Sequence, residues 1–68
     1  MAMGDRIEVI IERWGNPDKS VEYRWSVWRG GTRVQMGGPH SSADASETEA
    51  VEFCRKRFDR SPERIERL

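Results

Sequence analysis

His40 and Cys54 are the only histidine and the only cysteine of this 68-residue chain. They are the side chains best suited to proton transfer and nucleophilic attack. An imidazole titrates near neutrality, but general acid–base work needs a reacting or second titrating group within hydrogen-bond reach. His40 follows Pro39 in the run GGPH with no such group next to it, so a solvated loop histidine is expected. Cys54 shares helical spacing with Ala50, Val51 and Phe58. That spacing places it in a core, where a thiol is inert as a nucleophile. One cysteine forms no internal disulfide, and the composition offers no four-ligand metal site. The paired glycines at 37 and 38 lack the lysine and spacing of a phosphate loop. Arg55, Lys56 and Arg57 could meet phosphate, but cations gather at helix C-termini anyway. The expectation is a protein that is not an enzyme, with no cofactor and no metal.

Recognition is the chemistry that remains. The stretch YRWSVWRGG, residues 23–31, holds two tryptophans and two arginines. Tryptophan and arginine are the commonest anchors of protein interfaces. Their roles depend on which face of a strand each occupies. Val21, Tyr23, Trp25 and Val27 alternate with Glu22, Arg24, Ser26 and Trp28, the period of a half-buried strand. Ile7, Val9 and Ile11 alternate with Glu8, Ile10 and Glu12 in the same way. The turn formers GNPDKS separate the two strands. Gly30-Gly31 predicts a two-residue hairpin into a third short strand from Thr32 to about Met36. That loop pairs Arg29 with Thr32, Trp28 with Arg33, Val27 with Val34, Ser26 with Gln35 and Trp25 with Met36. Paired residues share a face. Trp25 is then core, and Trp28 lies on the other side, stacked on Arg33.

A helix follows. Ser46 with Glu49 has capping-box spacing, and Asp44 with Glu47 is a second candidate start. Acids fill its first half and bases its last, as the helix dipole favours. Phe53 lies on the flank of its apolar stripe. Ser61 and Pro62 have the types of a cap and first residue, predicting a short second helix over residues 61–68. The fold class is α+β: a three-stranded antiparallel sheet (β-β-β-α), one face covered by a helix, in one small domain ordered over about residues 6–58.

The uncovered face would carry Glu8, Ile10, Glu12, Glu22, Arg24, Ser26, Trp28, Arg33 and Gln35, with Trp14 at a strand end free to go either way. Ile10, Arg24, Trp28, Arg33 and Gln35 are the candidate partner-binding residues. Both sheet edges would be open, and open edges invite pairing. A chain this short buries a small fraction of its surface and benefits from a partner. A homodimer or another protein is therefore expected on the open face or on an edge. The alternative is nucleic acid on the same face. Twelve basic residues against twelve acidic leave zero formal charge, whereas nucleic-acid binders carry a basic excess. No run approaches the roughly 20 apolar residues that span a bilayer, so no membrane is expected. A lone thiol with no apolar run at Met1 to Asp5 suggests the cytoplasm.

Two resemblances bear on this outline. YRWSV, a glycine turn, TRV, and SS leading into an alanine-containing helix resemble the small bacterial YegP-type domains, from about Ile7 to Phe58. That resemblance implies the β-β-β-α fold and paired units, and carries no catalytic residue. RVQMG and SETEAVEF are similar to the third strand and helix of AP2-like DNA-binding domains and phage integrase N-terminal domains. This resemblance implies a sheet laid in the major groove, with Arg24, Trp28, Arg33 and Gln35 toward DNA. Glu8, Glu12 and Glu22 on the same face depart from it, since they repel phosphate.

Overall fold

The computed structural model describes residues 6–68; Met1 to Asp5, the segment without an apolar run, lies outside the described residues. Four strands and one helix follow in the order β1 (Ile7–Gly15), β2 (Val21–Arg29), β3 (Thr32–His40), α1 (Ala43–Phe58) and β4 (Arg64–Arg67). The sheet order is β3-β2-β1-β4. β1 and β2 are antiparallel, as are β2 and β3, while β4 lies parallel to β1.

The α+β class and the three expected strands are present, but the sheet is mixed and four-stranded rather than purely antiparallel and three-stranded. The predicted helix over residues 61–68 is instead a strand. Its physical reason lies in β1, whose outer edge carries backbone groups that need partners. Glu63 N–H donates to the Ile7 carbonyl at 2.8 Å and Leu68 N–H to the Ile11 carbonyl at 2.9 Å, while the Glu63 carboxylate accepts from Ile7 N–H at 2.6 Å. A six- or seven-residue helix gains few bonds for its nucleation cost. Arg67 fixes the new strand by reaching Asp44 at 2.7 Å and Glu47 at 2.9 Å on α1.

The β1–β2 pairing sets Ile7, Val9 and Ile11 opposite Arg29, Val27 and Trp25. All of these except the exposed Arg29 form the core with Ala50 and Cys54. Ser46, Ala50 and Cys54 recur every fourth residue and are fully buried. Their small side chains let α1 lie close on the sheet. The helix is capped by Ser42, one turn before Ser46 and two residues before Asp44: the Ser42 hydroxyl accepts from Ala45 N–H at 3.1 Å. Ser46 caps nothing and instead donates from inside the interface to the Tyr23 carbonyl at 2.8 Å. Asp59 ends the helix in the left-handed conformation, its N–H on the Arg55 carbonyl.

The β2–β3 hairpin turns on Gly30 and Gly31, both at positive φ, and pairs Arg29 with Thr32 and Trp28 with Arg33 as expected. Beyond that the register departs. Val27 pairs with Gln35, Ser26 with Met36 and Trp25 with Gly37. Val34 is the extra residue of a β-bulge, so Gln35, Met36 and Gly37 change face; a second register shift between Trp25 and Tyr23 brings His40 opposite Tyr23. Gln35 therefore moves to the helix side and Met36 to the open side. Gly37 is what lets Trp25 lie flat: a Cβ there would stand 2.5 Å from Trp25 Cζ2.

Candidate interaction surfaces

The open face is a grid built by the strand registers. Glu8, Ile10, Glu12 and Trp14 of β1 lie beside Trp28, Ser26, Arg24 and Glu22 of β2. Arg33 and Met36 of β3 extend it on one side, and Arg64 and Glu66 of β4 on the other. Met36, Trp28 and Ile10 surround Ser26 as one apolar cluster, and Trp14 with Leu68 beside it forms a second, beyond the Glu12–Arg24 pair. Met36 is 52% exposed, Trp14 49% and Leu68 66%.

Polar groups fix the large members of both clusters. Trp28 Nε1 donates to Ser26 Oγ at 2.9 Å, and the Arg33 guanidinium lies 5.9 Å from the Trp28 ring centroid. This is the expected cross-hairpin stack. At the opposite corner Arg24 lies 5.3 Å from the Trp14 ring centroid, while its Nε donates to Glu22 at 2.7 Å. Glu22 also accepts from Asn16 in the preceding turn. The bond to Arg24, then that to Asn16, holds the Glu22 carboxyl below its usual range. The cation is thus matched on the spot, and such an exposed pair contributes little to stability.

Of the five sequence-derived binding residues, Ile10, Arg24, Trp28 and Arg33 share this face. Gln35 does not: the bulge at Val34 turns it toward α1. Met36 and Leu68 are members that sequence reasoning missed. A bulge leaves no trace in alternation, and Leu68 joins the face only because its segment is a strand.

The helix side of β3 forms a second surface. A groove of about 470 Å³ runs between β3 and α1, lined by Trp25, Gln35, Gly37, Phe53, Glu49 and Lys56 among others. Trp25 Nε1 donates to Glu49 Oε1 at 2.6 Å, and His40 Nε2 meets the same oxygen at 2.7 Å. These two contacts, His40 first, hold the Glu49 carboxyl below its ordinary 4.5. His40 is thus the closing residue of β3 with a carboxylate partner, a correction to the solvated loop expected of it. Cys54 is fully buried, and burial with the nearby Glu63 pushes its thiol up from 9.0. Among the described residues no group of three His, Cys, Asp or Glu is placed to hold a metal, and no helix is long and apolar enough to cross a membrane.

No family model matches this chain, and no curated protein or solved structure matches it either.

Proposed function

We propose that this chain is a non-enzymatic interaction module whose open sheet face receives a protein partner and whose unpaired sheet edge joins it to a second copy. The observation that carries the reading is the pair of apolar clusters on the open face, each holding a tryptophan with an arginine stacked on it. Buried aromatic and arginine anchors inside a polar rim are the composition of interface hot spots. The paired units implied by the YegP-type resemblance agree with self-association. The nucleic-acid alternative gains nothing from the same face. Glu8, Glu12, Glu22 and Glu66 stand among Arg24, Arg33 and Arg64, and Arg24 is bridged to Glu22. Counterion release requires clustered cations.

Affinity capture with immobilised wild-type and Trp28→Ser chains tests the open face, read by quantitative mass spectrometry and by nucleic-acid staining of the eluates. The expected result is a set of proteins held by the wild type and lost with Trp28→Ser, while circular dichroism shows both chains folded. Retention of the same proteins by both chains refutes the open-face site. Salt-sensitive retention of nucleic acid alone would favour the alternative.

A further inference from the structure

The two edges of the sheet are unlike. β4 has four residues, three of them charged, with Arg64 bound to Glu66 and Arg67 bound to α1. Short charged edges discourage pairing. β3 has nine residues and a single formal charge, Arg33, which is laid over Trp28. Val34 and Met36 on it are 42% and 52% exposed. The groove behind β3 is open along the same edge.

The charges along that groove are ordered. Glu49 and Glu52 line it toward the His40 end, and Lys56 lines it toward the hairpin end. Glu52 and Lys56 make no ion pair with each other or with any other described residue. An acid–acid–base order is self-complementary under a two-fold axis normal to the sheet, because the rotation sets the base of one copy opposite the acids of the other.

We infer that two copies pair antiparallel through β3, about an axis at Met36, into one continuous eight-stranded sheet. Met36 meets its own copy on the open face. Gln35 falls opposite Gly37 of the partner copy on the helix side, where no Cβ obstructs it. The α1 helices lie three to four strand spacings apart, about 14–19 Å between axes. Lys56 and the Glu49–Glu52 pair span that gap with extended side chains. The two grooves merge on the helix side and are closed by Gln35 and Phe53 of both copies. Pro39 has no N–H to donate, so pairing stops before the His40 end of each strand. The assembly doubles the open face into one platform. It rests on the reading of the chain as a self-associating module but uses a surface that excludes Trp28.

Sedimentation velocity from about 10 μM to 1 mM, on wild type, Lys56→Glu, Glu52→Lys and Trp28→Ser, tests it. A wild-type dimer is expected, weakened about tenfold or more by Lys56→Glu, because like charges then face each other twice. An equimolar mixture of Lys56→Glu and Glu52→Lys chains should recover the dimer, and Trp28→Ser should leave it intact. Circular dichroism confirms that each variant is folded; both charge changes are at exposed helix positions. A wild type that stays monomeric to 1 mM overturns the β3 dimer and leaves the open-face capture experiment to stand or fall alone. A dimer broken by Trp28→Ser and not by Lys56→Glu overturns it in favour of face-to-face assembly. Species that grow beyond the dimer overturn it in favour of head-to-tail β3–β4 chains.

Discussion

Gly37→Ala isolates one steric fact of the fold. Gly37 does not adopt a left-handed φ, so alanine meets no backbone objection there; the added Cβ instead stands 2.5, 2.6 and 2.9 Å from Cζ2, Cε2 and Nε1 of Trp25. Ordinary contact begins near 3.4 Å, so the indole must withdraw by about 1 Å, and overpacking of this kind costs about 1–3 kcal/mol. The ring has little room to withdraw. Phe53 lies 5.7 Å away between ring centroids, and Nε1 is held to Glu49 at 2.6 Å. Against this, alanine in a strand recovers about 0.5–1 kcal/mol of backbone entropy relative to glycine. The net expectation is a loss of about 1–2 kcal/mol, or about 5–15 °C in melting temperature for a domain of this size. Urea melts followed by circular dichroism measure it. Gly15→Ala supplies the baseline: its Cβ would meet nothing within 4 Å, and the change should be neutral or slightly stabilising. In a Trp25→Phe background, where the far part of the indole is gone, Gly37→Ala should cost little. A coupling of about 1 kcal/mol or more between the two sites is therefore expected. An equal cost in both backgrounds, or no cost in the wild type, refutes the collision.

Two further outcomes are expected. Because the folded-state pKa of Glu49 is depressed, its contribution is present above the ordinary 4.5 and is lost as pH falls through the lower folded value. Denaturation midpoints of wild type and Glu49→Gln should therefore differ at neutral pH and converge in acid, by a modest amount because this carboxylate is half exposed; a constant gap from neutral to strongly acidic pH would contradict the assignment. Cys54 should react with a thiol reagent only as fast as the protein opens, since it is fully buried and its thiol is pushed up; labelling in native buffer at the rate seen in denaturant would place it outside the core.

The parts legible in the sequence were those governed by strict periodicity. Ile7, Val9 and Ile11, and Trp25 with Val27, alternate cleanly, and they are core residues. The glycine hairpin set its first two pairs correctly because two-residue loops allow few geometries. Three features escaped. The bulge at Val34 follows from how β3 fits its neighbours, and no residue type announces it; it carried Gln35 off the open face and Met36 onto it. The last strand was hidden because local signals at Ser61 and Pro62 describe a helix start, while the unfilled edge of β1, more than fifty residues away, decides the outcome. The helix start erred for a related reason. Ser46 has cap chemistry, but its hydroxyl is taken by the Tyr23 carbonyl of a distant strand.

The parallel contact between β1 and β4 has a mechanical meaning. Ile7 begins β1 at one end of the sheet, and Leu68 follows β4 at the other, beside Trp14. A pull applied through these two points slides the strands past each other, so the Ile7–Glu63 and Ile11–Leu68 bonds are strained together rather than opened in turn. Arg67 adds a cross-tie from the same strand to α1. Tension along the chain axis is thus met by several bonds at once, while a pull at the β2–β3 turn would peel the hairpin one pair at a time.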